Sequence, residues 1–267
     1  MGVRAGWVGR TAGGGRDGRV HPCGETPPAR VRPRSSQVET AGGTADHTAA
    51  ASVVGVPLTC IDAVLLSDPR VTAVPVADCG EPLVVAPVPL LRPTHTPGAL
   101  VRAGVARRLA GAAAALPPGV HLVLAEGWRS PAAQAEIVTR YRATVRAGHA
   151  DADDHEVERL TSRYVSPVAV APHVAGAAVD VTLVDDAGRE LDLGCPLDAT
   201  PEESEGRCFT DAPVPPTARV LRTALAEAMA GAGFVNYPTE WWHWSHGDRY
   251  WALTTSQRAA VYGPVAA

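Results

Sequence analysis

The segment EWWHW, Glu240–Trp244, places a carboxylate and an imidazole among tryptophans, and an upstream segment, PHVAGAAVDVTL, adds His173 and Asp180. A catalytic zinc takes three protein ligands from His and Asp or Glu and keeps a further position open for water. We therefore interpret His173, Asp180 and His243 as metal ligands. Glu240 can then act as the general base beside the metal without being needed to bind it.

The local spacing alone leaves simpler interpretations open. On a regular strand, residues three apart face opposite sides, so Glu240 and His243 can reach one metal only if the backbone bends between them. An aromatic core strand with an incidental histidine is the alternative, and His246 is an alternative ligand. Asp180 differs because it lies among apolar neighbours on a predicted strand, where an ionised carboxylate needs a charged partner.

The order of these motifs carries a family resemblance. His-x(6)-Asp followed far downstream by Glu-x-x-His resembles the zinc D-alanyl-D-alanine peptidases, and most closely the D-alanyl-D-alanine dipeptidases of the VanX type. EGWRSP, residues 126–131, resembles the arginine-bearing segment of that family, and LGCPLD, residues 193–198, resembles its segment with a substrate-contacting aspartate. The four blocks keep the family's order over roughly residues 57–252, so the resemblance covers most of the chain.

The resemblance implies further site residues and one Zn²⁺ per chain. It implies that Arg129 stabilises the oxyanion that develops when water adds to a peptide carbonyl. It also implies that Asp198 pairs with the free ammonium group of a dipeptide. Without the family, the preferred interpretation of Arg129 is a surface residue or a salt-bridge partner of Glu126. The alternative for Asp198 is a helix cap or a loop carboxylate.

The implied function is zinc-dependent hydrolysis of D-Ala-D-Ala or similar dipeptides, in peptidoglycan turnover or glycopeptide resistance. The first alternative is a D,D-carboxypeptidase or peptidoglycan endopeptidase that uses the same metal site on longer peptides in an open cleft. The second is a zinc-stabilised, non-catalytic binding module, as in the Hedgehog signalling domain. Glu240 and Arg129 together argue against a binding module, because such a module needs neither.

The pattern of apolar residues and of Gly and Pro predicts alternating helices and strands. A 3.6-residue period predicts a helix from Pro97 to Leu116. Ser130 as N-cap and Pro131 at the first helical position predict a second helix that runs to Gly148. The remaining predicted elements are strands at 120–128 and 177–185, helices at 152–164 and 216–233, and a strand or bent strand pair at 234–246. Together with the resemblance, these predict an α+β class with a mainly antiparallel sheet and packed helices, the zinc D-Ala-D-Ala peptidase (Hedgehog-like) fold.

Composition excludes several other classes of protein. The 267 residues contain 46% hydrophobic and 19% charged residues, which is typical of a globular protein. A formal net charge of -4 provides no basic patch for nucleic acid, and no apolar run is long enough for a membrane span. The expected partner is therefore a small D,D-dipeptide or a peptidoglycan-derived peptide.

The two ends of the chain differ in composition. Residues 1–52 are rich in Gly, Arg and Pro, so we predict a disordered leader, with its absence from the mature or true product left open, followed by a single zinc peptidase domain at 53–267. This leader lacks the apolar core of a secretory signal, which predicts a cytoplasmic protein, with export as the alternative. Cys195 and Cys208 flank the predicted substrate side, and they are the one cysteine pair whose spacing invites a test for a bridge.

Overall fold

The structure is a computed structural model that describes residues 63–92 and 96–266. The predicted leader, residues 1–52, lies outside the described residues, so the proposed division at residue 53 stays a prediction. The helices are α1 (Pro69–Thr72), α2 (Ala103–Ala115), α3 (Pro131–Gly148), α4 (Asp154–Thr161), α5 (Pro216–Gly231) and α6 (Arg249–Thr254). The strands are β1 (Leu83–Val85), β2 (Leu100–Arg102), β3 (His121–Glu126), β4 (Ala178–Val184), β5 (Val235–Asn236) and β6 (His243–Ser245).

The sheets are antiparallel, and helices pack around them. One sheet has the order β3-β4-β6-β5, and the other pairs β1 with β2. Strand β4 lies in the interior of the larger sheet, and each of its residues is buried. This arrangement confirms the predicted α+β class with a mainly antiparallel sheet. In the part of the chain described, no helix combines the length and the apolar character that a membrane crossing needs.

Helix α3 follows its sequence prediction closely. The Ser130 hydroxyl accepts a hydrogen bond from the Ala133 backbone N–H, and Pro131 opens the first turn. Such a cap satisfies one of the free N–H groups at the start of a helix. The helix ends at Gly148, as the sequence predicts, and Val145 on its inner side is buried.

The predicted helix at 97–116 is wrong at its beginning. Residues Leu100–Arg102 form strand β2, which pairs with Leu83–Val85, and only Ala103–Ala115 are α-helical. The Arg102 backbone N–H also donates to the Gly176 carbonyl at 2.9 Å. Leu100 and Val101 fit a helical and an extended pattern equally well, so the pairing with a distant segment decides their conformation.

The turn before β4 is held by a buried arginine. The Arg102 guanidinium donates to the carbonyls of Ala175 at 2.8 Å, Glu81 at 2.6 Å and Gly263 at 2.8 Å. Gly176 ends this turn at a φ of 65°, in the left-handed region that glycine adopts without steric cost. A Cβ at Gly176 would lie 2.5 Å from the Leu83 Cδ2 atom. The turn therefore has one backbone geometry and no room for a side chain.

We expect Gly176→Ala to lower the free energy of unfolding by about 2–4 kcal/mol, since it combines left-handed strain with a steric overlap. Gly188→Ala is the matched control. Gly188 has a φ of 74°, but a Cβ added there would meet no described atom within 4 Å. The control should lose only about 1 kcal/mol, the cost of the backbone conformation alone. Urea or thermal unfolding measures both losses, and equal losses would contradict the packing argument.

Candidate metal centre and active site

Three side chains from separate segments converge at one point. His173 lies in a short 3₁₀ turn, His173–Ala175, while Asp180 lies on β4 and His243 on β6. The His173 Nε2 atom is 3.2 Å from the His243 Nδ1 atom and 3.2 Å from the Asp180 Oδ2 atom. The His243 Nδ1 atom is 3.0 Å from the Asp180 Oδ1 atom. All three residues are buried, and their candidate ligand atoms lie within 4.8 Å of one another.

Strand register and a tight turn produce this convergence. In the antiparallel pairing of β4 with β6, Asp180 lies directly opposite His243. Side chains of directly opposed residues lie on the same face of a sheet. The left-handed turn at Gly176 then brings His173 back toward that face. Two residues are thus fixed by backbone pairing and the third by the turn.

The donor atoms fit a tetrahedral divalent cation. Bonds of about 2.0–2.1 Å from zinc to His and carboxylate ligands place neighbouring ligand atoms roughly 3.3 Å apart, close to the separations of 3.0 to 3.2 Å found here. The His173 Nδ1 atom is 2.7 Å from the Gly127 carbonyl oxygen, so it carries the proton and leaves Nε2 free as a ligand. The His243 Nε2 atom is buried with no hydrogen-bond partner among the described residues, while its Nδ1 atom faces the cluster.

Glu240 lies beside the cluster because the chain bends between β5 and β6. Its backbone N–H donates to the Tyr237 carbonyl at 2.9 Å, and its own carbonyl accepts from the His243 N–H at 3.2 Å. The bend lets Glu240 and His243 face the same space, with 3.8 Å between the Glu240 Oε2 and His243 Nδ1 atoms. The bent strand pair predicted at residues 234–246 is therefore confirmed.

Neighbouring charges oppose the effect of burial on the pKa of Asp180 and reinforce it at Glu240. Burial opposes ionisation of Asp180, but the imidazoles of His173 and His243 outweigh it and hold the pKa of Asp180 below its usual value. Burial, followed by the charges of Asp180 and Asp198, raises the pKa of Glu240 well above its usual value. A cation held by the cluster would oppose that shift, because positive charge favours the ionised carboxylate.

Arg129 lines the same cavity and is held by two neighbours. Its Nε atom donates to Glu126 Oε1 at 2.7 Å, a second guanidinium nitrogen donates to the other Glu126 oxygen, and a third donates to Gln134 Oε1 at 2.8 Å. The salt bridge to Glu126, one of the alternatives for this residue, is thus present. It does not remove Arg129 from the site, because the guanidinium still lines the cavity with Glu240.

Gln134 is a site residue that the sequence interpretation missed. It is buried, and its Nε2 atom donates to the Ser166 carbonyl at 2.8 Å while its Oε1 atom holds Arg129. It occupies the inward side of α3, one turn before Ile137. A buried polar side chain needs partners, so a polar residue at an inward helix position was the available signal.

Asp198 lies on the loop between β4 and α5, at the edge of the cavity that contains the histidines and Glu240. The residue as a whole is exposed to solvent. Its backbone has a φ of 63°, in the left-handed region. The protein mass around its carboxyl, followed by the charges of Asp180 and Glu126, raises the pKa of Asp198 to about 7. Its backbone carbonyl, 2.5 Å from the Tyr164 hydroxyl, accepts a hydrogen bond.

The cavity has a volume of about 700 Å³. From the metal cluster it continues along the inner side of α3, past Tyr141, to exposed residues at Arg140, Thr144 and His149. A space of this size accepts a small peptide. The structure therefore brings all six predicted site residues together around one cavity: His173, Asp180, His243, Glu240, Arg129 and Asp198.

His246 and the pair Cys195 and Cys208 do not have the roles that the sequence left open for them. His246 lies outside the cluster, and its Nδ1 atom is 2.7 Å from the Gly233 carbonyl oxygen. Cys195 and Cys208 are both buried and both free, so they do not form a bridge.

Comparison with known proteins identifies the family. A family model described as D-ala-D-ala dipeptidase (Peptidase M15) matches residues 96–260. A D-alanyl-D-alanine dipeptidase of Synechocystis sp. (strain ATCC 27184 / PCC 6803 / Kazusa) is 30% identical over 239 residues, which cover 72% of this chain and 95% of the relative. A D-alanyl-D-alanine dipeptidase of Escherichia coli (strain K12) is 40% identical over 82 residues, 30% of this chain and 41% of the relative. The chain therefore belongs to the D-Ala-D-Ala dipeptidase family, and it is a metallopeptidase.

Among solved structures, the chain is similar to the LdcB LD-carboxypeptidase, whose structure is described as revealing the molecular basis of peptidoglycan recognition. The two chains share 16% identity, the match covers 68% of this chain and 76% of the other, and the TM-score is 0.37. A TM-score this low carries no argument about the site.

Proposed function

We propose that this protein is a zinc-dependent dipeptidase that hydrolyses D-Ala-D-Ala or a similar small dipeptide, with one Zn²⁺ per chain held by His173, Asp180 and His243. The observation that carries the proposal is the separation of 3.0 to 3.2 Å between the three donor atoms, with Glu240 adjoining them. Bound zinc would supply a Lewis acid for carbonyl hydrolysis. The names of the two relatives support the choice of substrate.

Glu240 is the proton carrier of the proposed reaction. Its carboxylate takes a proton from the attacking water and delivers it to the leaving amine. Its buried position limits competing contact with bulk water. One carboxyl group, that of Glu240, can therefore serve as both the general base and the general acid of the reaction.

Arg129 stabilises the developing oxyanion in this proposal. A guanidinium has five N–H donors. Glu126 and Gln134 accept three of them, so two donors remain for a substrate oxygen as far as the described residues are concerned. Because the three occupied donors fix the plane of the guanidinium, the remaining two are aimed before substrate arrives, and preorganised donors are worth a few kcal/mol in rate.

Asp198 selects for a free amino terminus in this proposal. It lies in the same cavity as Glu240 and Arg129, and a carboxylate there pairs directly with an ammonium group. The resulting role is in peptidoglycan turnover or glycopeptide resistance. Since the free dipeptide is a precursor of the cell wall, the protein would act in the cytoplasm.

A second candidate is a D,D-carboxypeptidase or peptidoglycan endopeptidase that acts on longer peptides outside the cytoplasm. The observation that favours it is the extension of the cavity along α3 to the exposed residues Arg140, Thr144 and His149. A dipeptide needs less than the whole volume of about 700 Å³. The third interpretation, a non-catalytic zinc-binding module, is not supported, because the chain belongs to a peptidase family and both Glu240 and Arg129 line the cavity.

We expect the zinc-loaded protein to retain one zinc per chain after dialysis, and His243→Ala to lower the metal affinity by at least about tenfold, since a ligand is lost. Elemental analysis after dialysis measures the zinc content. His246→Ala is the matched control, because it removes the same ring three residues away and outside the cluster. Full zinc retention by His243→Ala would contradict the proposed ligand set.

Glu240→Gln should lower kcat by about 10²–10⁴-fold, because the amide keeps the shape of the side chain but cannot take up a proton. The zinc content should stay the same. Glu227→Gln on α5 makes the same chemical change at an exposed position and should leave kcat unaltered. Steady-state release of D-alanine measures both, and a Glu240→Gln protein with full turnover would remove the proposed base.

Substrate preference separates the two candidate functions. For the dipeptidase we expect kcat/KM for D-Ala-D-Ala to exceed that for its N-acetylated form, and Asp198→Asn to reduce this preference by about tenfold to a hundredfold, the worth of a charged hydrogen bond. A pentapeptide stem serves as the long substrate. Turnover of the pentapeptide alone would favour the second candidate, and equal rates on both dipeptides in the native protein would exclude the role of Asp198.

A further inference from the structure

The backbone of the loop that carries Asp198 is bonded to the helical side of the cavity by the hydroxyl group of Tyr164. Tyr164 follows α4, and its hydroxyl donates to the backbone carbonyl of Asp198 with 2.5 Å between the two oxygens. The two residues are 34 positions apart in the chain, so this contact joins separate parts of the fold. The bond goes to the backbone of Asp198 and leaves the carboxylate free for another partner.

A second tyrosine holds Tyr164 in place. The ring of Tyr141, on α3, packs against that of Tyr164 with 5.0 Å between the centroids and 49° between the planes. The Tyr141 hydroxyl donates to Glu202 Oε2 at 3.2 Å, further along the same loop. Tilted aromatic pairs at this distance are attractive. The Tyr164 ring is therefore supported from the side, and its hydroxyl has a defined position.

The backbone at Asp198 needs such support. Its φ of 63° lies in the left-handed region, which costs most L residues roughly 1–2 kcal/mol, although Asp adopts it more readily than most. A conformation of this kind persists only where the surroundings hold it. Because φ and ψ set the direction of the Cα–Cβ bond, whatever fixes the backbone of Asp198 also fixes where its carboxylate points.

The Tyr164 hydroxyl remains a donor throughout the physiological pH range. Tyr164 lines the same cavity as the metal cluster. Burial, followed by the negative charges of Glu240 and Asp198, raises the pKa of Tyr164 above its usual value. The phenol stays protonated, so its hydrogen bond to the Asp198 carbonyl is always available.

We propose that Tyr164 is a specificity-determining positioning residue, whose hydroxyl fixes the loop so that the Asp198 carboxylate meets the ammonium group of a dipeptide. The proposal rests on the function proposed above for Asp198. Tyr164 acts through Asp198 and does not itself contact the substrate. Its loss therefore weakens recognition of the free amine and leaves the metal cluster, Glu240 and Arg129 unchanged.

The test compares the native protein with Tyr164→Phe, Asp198→Asn and Tyr262→Phe, each zinc-loaded. For each protein, kcat and KM are measured on D-Ala-D-Ala and on its N-acetylated form, together with zinc content and the temperature of unfolding. Tyr262→Phe is the matched control, because it also removes a phenolic hydroxyl. The Tyr262 hydroxyl donates a hydrogen bond of 2.7 Å to Glu81 Oε2, and neither residue lines the cavity. It should affect stability only.

We expect Tyr164→Phe to raise KM for D-Ala-D-Ala by about tenfold, the upper range for one hydrogen bond, with kcat changed by less than about twofold. Values of kcat/KM for the acetylated dipeptide should stay within about twofold of the native protein, because that substrate offers no ammonium group. The preference for the free amine should thus fall in the same direction as in Asp198→Asn. Tyr262→Phe should keep the native preference.

The contrary outcomes are distinct. An equal loss on both substrates in Tyr164→Phe would show a purely structural role and overturn the proposal. Native preference in Tyr164→Phe, with preference lost in Asp198→Asn, would overturn the role of Tyr164 and leave the proposed function intact. Native preference in Asp198→Asn would overturn the proposed function of that carboxylate, and the role of Tyr164 would fall with it.

Discussion

The site depends on one unfavourable placement, a carboxylate in the middle of a strand that is buried along its whole length. Asp180 on β4 is surrounded by apolar residues such as Val179 and Val181, each buried completely. An ionised carboxylate there loses its solvation by water, and favourable interactions with charged or hydrogen-bonding groups must replace that lost free energy. The imidazoles of His173 and His243, whose nitrogens lie 3.0 to 3.2 Å from the Asp180 carboxylate, supply such interactions when they are protonated, and a divalent cation between all three would supply them when they are neutral ligands. Metal binding and folding of this part of the core are therefore linked.

The positive charge of Arg129 is also held in the cavity by neighbouring side chains. Glu126 and Gln134 occupy three donors of Arg129, which keeps a cation facing Glu240 and Asp180 without a direct salt bridge to either of them among the described residues. A salt bridge and a role in the site are thus compatible for one guanidinium, since its fork can bind on two edges. From the sequence alone, the two interpretations of Arg129 stand as alternatives.

The metal cluster could be predicted from sequence more completely than the helices around it. His173, Asp180 and His243 are predicted from the family resemblance that their order along the chain carries, and strand register brings two of them together. From the sequence, the bend between Glu240 and His243 could be stated only as a requirement for both residues to reach one metal. The bend itself depends on the pairing of β5 with β6. The start of α2 was predicted wrongly for a related reason: Leu100–Arg102 has a local pattern that suits both conformations, and its partner strand is distant in sequence.

The residues that sequence could not supply are those that act through contacts between distant segments. Gln134 left a local trace, because it occupies an inward position of a well-predicted amphipathic helix and a buried amide needs partners. Tyr164 left no such trace, because its proposed role depends on the hydrogen bond from its hydroxyl to the Asp198 carbonyl. A strand fixes its side chains by a regular period, whereas a loop residue takes its direction from whichever contact holds it. Residues that a motif carries, such as the candidate metal ligands and Asp198, can therefore be predicted from sequence, while a residue such as Tyr164, which acts through a contact with a distant segment, needs the structure.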